Sequence, residues 1–173
     1  MTTVLGISGS LRAASTNTLL MREALRVSGA DTLIEAELRL PLYDGDLEAD
    51  GLPVAVQTLA NQITIADAVV IATPEYNKAL SGVLKNALDW VSRTDGKPWA
   101  DKLVAIMSAA AGRAGGERSQ FSLRLCMVPF GARVLTGPEV LVAASHSAFD
   151  EDGRLIDERY AKALDGLVGQ LGL

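Results

Sequence analysis

Two periodicities alternate along the chain. Short strand-like segments occupy Val4–Ser8, Thr32–Ala36, Ala68–Ala72, Leu103–Met107 and Arg133–Thr136. Between them apolar residues recur at helical spacing, first at Leu20, Met21, Ala24 and Leu25, then at Val56, Leu59, Ala60 and Ile63. Val83, Leu84, Ala87, Leu88 and Val91 form a third helical face, Gly115 to Met127 a fourth, and Ile156, Tyr160, Leu164, Leu167 and Leu171 a last. Pro53 suits a helix start, because a first-turn residue needs no N–H partner. The acidic stretch Pro41 to Gly51 reads as a loop, and Asp95-Gly96 and Lys97-Pro98 read as turns.

The unbroken apolar run AVVIA at Ala68–Ala72 predicts a central strand covered on both faces. Strands alternating with helices predict a parallel sheet flanked by helices, because each right-handed crossover returns over the sheet. Ligands of such sheets bind beyond the carboxyl ends of the strands. The loops after the first, third and fourth strands are therefore the places where chemistry is expected.

Composition narrows that chemistry. A chain of 173 residues suffices for one domain, expected to span 1–173. No segment approaches the roughly 20 consecutive apolar residues of a membrane span. The start MTTVLGISGS lacks the basic end and apolar core of a secretory signal, so a cytoplasmic protein without membrane association is expected. The single cysteine, Cys126, makes neither an internal disulfide nor a thiolate metal site, and it reads as a buried, inert thiol. A formal charge of −5 with 16 dispersed basic residues argues against a nucleic-acid partner. The lone histidine, His146, argues against a histidine triad or a multi-histidine metal centre and reads as an ordinary loop residue. The chemistry is then carried by a bound cofactor.

The loop Gly9-Ser10-Leu11-Arg12-Ala13-Ala14-Ser15-Thr16-Asn17-Thr18 gathers hydroxyls, an amide and a guanidinium before the first helix. This is the donor set of a phosphate site, since a helix N-terminus adds unpaired N–H groups and a partial positive charge. A helix cap alone, at Thr16 or Asn17, would use one such residue. No G-x-G-x-x-G or G-x-x-x-x-G-K-[ST] pattern is present, and Gly6-Ile7-Ser8-Gly9-Ser10 departs from a nucleophile elbow at its last position.

After the third strand comes Pro74-Glu75-Tyr76-Asn77-Lys78-Ala79-Leu80-Ser81-Gly82-Val83-Leu84-Lys85-Asn86-Ala87-Leu88-Asp89-Trp90. Together with GSLRAASTN, this segment closely resembles the NADPH-dependent FMN reductase family, which includes quinone, chromate and azo-dye reductases. The resemblance continues through Gly115 to Arg124 and from Phe149-Asp150 to Asp157-Glu158, almost the whole chain. It implies a flavodoxin-like three-layer sandwich with a five-stranded parallel sheet in the order 2-1-3-4-5. It implies that Ser10, Arg12, Ser15 and Asn17 hold the FMN phosphate, and that Pro74, Glu75, Tyr76 and Asn77 line the isoalloxazine. Ser108, Ala109, Ala110 and Gly112 would complete the ring site, although the alanine run here departs from the more polar or glycine-rich loop of the family. A homodimer or homotetramer is implied as well, with Trp90, Tyr76 and the helix from Gly115 as interface elements.

A flavin ring needs a close, flat wall and donors aimed at its polar edge, which a tight turn such as Pro74–Asn77 supplies from backbone N–H groups of Tyr76 and Asn77. Glu75 is read as orienting this loop, without proton chemistry. Hydride transfer from NADPH or NADH to the flavin needs alignment more than a protein acid or base, so no catalytic side chain is expected. The resulting expectation is an NAD(P)H oxidoreductase with ping-pong kinetics and a small-molecule acceptor, a quinone above all and chromate or azo compounds besides. The alternatives are an electron carrier like flavodoxin, whose members are commonly more acidic and lack the PEYN turn, and a binding module without enzymatic activity.

Overall fold

Ala68–Ala72 is wholly withdrawn from solvent, as an apolar run covered on both faces must be. The structure, a computed structural model, describes residues 1–173. This central strand, β3, lies between β1 (Thr3–Ser8) and β4 (Leu103–Ala109), with Leu5 opposite Val69 and Val69 opposite Val104. β2 (Thr32–Glu35) pairs with the far side of β1, and β5 (Arg133–Val134) with the far side of β4. All pairings are parallel and the order is 2-1-3-4-5, as the resemblance implies.

Period-two alternation along the strands divides the core. Val4, Val70 and Met107 face α1 (Thr16–Ser28) and α6 (Glu158–Gly169), packing on Leu20, Met21, Leu164 and Leu167. Leu5, Ile71 and Ile106 face the other way, toward α3 (Val54–Ile65), α4 (Gly82–Val91) and α5 (Glu117–Met127), through Ile63, Leu88 and Leu123. Each fully buried side chain of this size favours the folded state by about 1.5–3 kcal/mol, so the two faces together fix the sheet's orientation.

The fifth strand departs from the pattern. In place of one strand over Arg133–Thr136, the edge of β4 carries two short pieces. β5 pairs with Leu103 and Val104, and β6 (Val140–Val142) pairs with Met107 to Ala109. Pro138 lies between them, and a proline has no N–H to give the ladder. The Arg124 guanidinium donates to the Leu135 carbonyl at 2.6 Å, holding the chain where the ladder stops.

Smaller differences have local causes. The acidic loop contains a short helix, α2 (Gly45–Ala49), capped by Asp44. α5 begins at Glu117 because Gly115 and Gly116 have left-handed φ values of 59° and 91°. α6 is capped by Asp157, which leaves Ile156 outside it and exposed, while Leu171 packs into the core just beyond the helix end. Cys126 is half-buried against the α3–α5 side of the core, more accessible than expected. Trp90 is fully buried, donating its indole N–H to the Pro41 carbonyl at 2.8 Å, so it is a core residue and presents no surface to a partner. No helix is long and apolar enough to cross a membrane.

Candidate cofactor site

The carboxyl ends of β1, β3 and β4 open into one cavity of about 640 Å³. Ser10, Arg12, Ser15 and Asn17 line it from the first loop, Pro74, Glu75 and Tyr76 from the second, and Ala109 and Ala110 from the third. Asn77, Ser108 and Gly112 are not on its wall, whereas Thr16, Ala111, Ser145 and His146 are.

The first pole is the N-terminus of α1. Ser15 has extended backbone and its hydroxyl accepts the Thr18 N–H at 3.4 Å, so Ser15, rather than Thr16 or Asn17, is the cap. The first-turn N–H groups of Thr16 and Asn17 have no partner within the helix, and no acidic residue in that turn offsets the partial positive charge of the helix end. Arg12 is exposed at the rim, where Nη2 donates to the Ala14 carbonyl at 2.7 Å and the rest of the guanidinium remains open. Asn17 differs from its expected role. Its side chain is buried, Nδ2 donates to the Ala109 carbonyl at 2.8 Å, and Oδ1 accepts the Ala109 N–H at 2.9 Å. The amide is fully engaged with β4, so only the backbone N–H of Asn17 is free for a phosphate.

The second wall is a tight hairpin. Tyr76 and Ala79 exchange N–H to carbonyl bonds at 3.1 Å in both directions, with Asn77 at φ 50° and Lys78 at φ 67° between them. Positive φ at both central residues is the type I′ turn, for which asparagine is favoured at the first position. The Tyr76 N–H is thereby engaged and is not free for a ring, in contrast to expectation. The N–H groups of Glu75 and Asn77 have no acceptor within the chain. The Glu75 carboxylate accepts the Arg118 N–H at 3.1 Å and pairs with its guanidinium at 3.5 Å. Because α5 has no side-chain cap of its own at Gly116, Glu75 supplies one from another element and ties the hairpin to that helix.

Ser81, the cap of α4, donates to the Gly9 carbonyl at 2.6 Å and accepts the Leu84 N–H at 3.3 Å. A Cβ on Gly9 would stand 3.1 Å from the Ser81 oxygen and 3.2 Å from Pro74 Cδ, so glycine lets the first and second loops close on each other.

The third wall consists of Ala109, Ala110 and Ala111, which leave room for a flat ligand. Ser108 stands behind it, with no exposure, donating to the Gly115 carbonyl at 2.7 Å and accepting from Gln120 Nε2 at 2.9 Å. It therefore supports the loop instead of facing the cavity. Gly112 lies exposed beyond the wall. The Ala110 carbonyl accepts the Ser145 N–H at 3.1 Å, and the Thr16 hydroxyl reaches Ser145 Oγ at 3.1 Å. These bonds bring the Ser145–Ser147 turn, and with it His146, to the rim. The missing signal was β6: the loop after it emerges at the same end of the sheet as the other site loops.

These residues fit FMN. The α1 end with Ser10, Arg12 and Ser15 suits a phosphate, the alanine wall and Pro74 suit a planar ring, and the volume lies within the roughly 300–1,000 Å³ usual for small-molecule sites.

Known proteins share both the sequence and the fold. The sequence model of the NADPH-dependent FMN reductase family matches residues 2–147. The chain is 45% identical over 158 residues to an NAD(P)H-dependent FMN reductase of Pseudomonas aeruginosa, covering 90% of this chain and 85% of that one. It is 39% identical over 173 residues to a quinone reductase of Escherichia coli, covering 97% and 90%. Among solved structures, the flavoenzyme NAD(P)H:(acceptor) oxidoreductase FerB from Paracoccus denitrificans superposes with a TM-score of 0.88 at 33% identity, over 99% of this chain and 95% of FerB. The chain belongs to the NADPH-dependent FMN reductase family.

Proposed function

We propose that this protein uses FMN to pass two electrons from NAD(P)H to a quinone-like small molecule. The observation that carries the reading is the cavity itself, which joins a phosphate-type pole at α1 to a flat wall of small residues at Ala109–Ala111. When bound, FMN supplies the redox chemistry, accepting a hydride from the nicotinamide and returning two electrons that, with two protons, convert a quinone to its hydroquinone.

The protein's task is binding and alignment. The first-turn N–H groups of α1, the Ser10 and Ser15 hydroxyls and Arg12 hold the phosphate. Pro74 and the alanine wall confine the ring, and the free N–H group of Glu75 is a donor available to its polar edge. Tyr76, half exposed at the rim, offers an aromatic face to a planar second substrate. One cavity serves nicotinamide and acceptor in turn, so the kinetics are ping-pong. The names of the relatives, an FMN reductase and a quinone reductase, support this assignment.

We place the activity in the cytoplasm, where NAD(P)H is supplied, in a homo-oligomer. Phe121, Leu125 and Val128 support the oligomer, since they lie exposed at helical spacing along the α5 side and its end.

The test is an anaerobic absorbance titration of FMN-reconstituted protein with NADPH and NADH separately, followed by a quinone. Bleaching by nicotinamide and recolouring by quinone, with no other protein present, is the expected result. Tight FMN binding without bleaching would make the protein an electron carrier, and no FMN binding would remove the reading altogether.

A further inference from the structure

β4 ends at Ala109, one residue beyond the point where its neighbour turns away. The Thr73 N–H still bonds to the Met107 carbonyl at 3.0 Å, and a continuing parallel ladder would next pair Ala109 with the chain beyond Thr73. That chain leaves the sheet at Pro74. The Asn17 amide takes its place, giving Nδ2–H to the Ala109 carbonyl and accepting the Ala109 N–H on Oδ1, at 2.8 and 2.9 Å. A side-chain amide offers a donor and an acceptor side by side in this way, whereas an ionised carboxylate offers acceptors alone. A second strap runs from the same helical turn, from the Thr16 hydroxyl to Ser145 Oγ, and from the Ser145 N–H to the Ala110 carbonyl.

We infer that Asn17 is a positioning residue that fixes the alanine wall relative to the phosphate end of α1 by continuing the β4 ladder with its side chain. The inference rests on the flavin reading of the cavity. It assigns Asn17 a different task from phosphate contact, and the two tasks separate on riboflavin, which carries the ring but no phosphate.

In the apo-protein, amide hydrogen exchange at Ala109 is slow in the native chain and accelerates strongly in Asn17→Ala. In the same variant the affinities for FMN and riboflavin fall by a common factor, about tenfold, as loss of a well-made bond at a buried site implies. Weakened FMN binding with unchanged riboflavin binding and unchanged exchange at Ala109 would overturn the inference and make Asn17 a phosphate contact. Should Asn17→Ala not fold, Asn17→Asp carries the test. Its carboxylate faces the Ala109 carbonyl without a donor, and on protonation it regains one. Riboflavin binding to Asn17→Asp that recovers as the pH is lowered supports positioning, whereas recovery confined to FMN refutes it. If the native chain binds neither flavin, the cofactor reading fails, and exchange at Ala109 alone decides whether Asn17 holds the strand end.

Discussion

The loops after β1 and β4 form two sides of one cavity, yet they are held by different means. In the first, local bonds dominate, Ser15 to Thr18, the Arg12 side chain to Ala14 and the Arg12 N–H to Ser10, and two bonds from elsewhere join them, from Ser81 to the Gly9 carbonyl and from Arg39 to the Leu11 carbonyl. In the second they come from elsewhere. Asn17, 92 residues away in sequence, holds Ala109, Gln120 on α5 holds Ser108, and the Leu141 backbone lies against Gly115. A loop closed largely by its own neighbours needs fewer of the other elements in place, whereas one closed by distant partners exists only after the sheet, α1 and α5 have packed. On the proposed assignment, phosphate anchoring is accordingly the sturdier half of the site, and ring placement the half more sensitive to changes elsewhere.

The contrast is most exposed at Gly115. A Cβ there would lie 2.5 Å from the Leu141 carbonyl carbon, in a backbone conformation of φ 59°. Gly115→Val should therefore lose about 3 kcal/mol of stability or more in urea unfolding. Unchanged stability would mean that the β4 loop relaxes as freely as the β1 loop. Next is Ser108→Ala, which leaves the Gly115 carbonyl without its donor and removes one acceptor from Gln120, for about 2 kcal/mol in the same assay.

On the other side of the cavity, Arg12→Ala with Ser15→Ala should weaken FMN binding about tenfold by flavin fluorescence. Its cost in stability should be only about 1 kcal/mol, that of a lost helix cap. A larger loss of stability than for Ser108→Ala would reverse the comparison.

The smallest effect lies outside the cavity and calibrates the rest. Asp157 caps α6, and its bonds to Arg159 hold its pKa down from the ordinary 3.8 to about 2. A carboxylate depressed in the folded state stabilises above its unfolded pKa, and the contribution fades as pH falls through the folded value. Melting temperatures of the native chain and Asp157→Asn should therefore converge between about pH 4 and pH 2 while remaining offset above that window. Parallel curves throughout would show that the Arg159 pair is absent in solution.

This division also governs what was legible in the sequence. The strands and the central place of AVVIA were readable because apolar period and length are local properties, and the loop after β1 was recognisable because its donors are contiguous. Asn17 and Ser108 were placed in the right region but assigned ligand contacts. An amide or hydroxyl near a strand end serves a ligand or a stranded backbone group equally well, and the choice depends on whether a ladder partner has departed. The Tyr76 N–H followed the same rule, being taken by the hairpin that Asn77 and Lys78 close. His146 reads as a loop residue, and it is one, but Pro138 splits the strand before it and leaves a three-residue piece with too little pattern to show that its loop emerges at the cavity.

That split has a consequence for life at high concentration. An intact edge strand offers a row of unpaired N–H and C=O groups on which another chain can crystallise into a growing sheet. Here one edge is interrupted between Val134 and Val140, and the other, β2, is only four residues long. Both margins are therefore short, which works against the sheets of neighbouring copies fusing as the protein is concentrated.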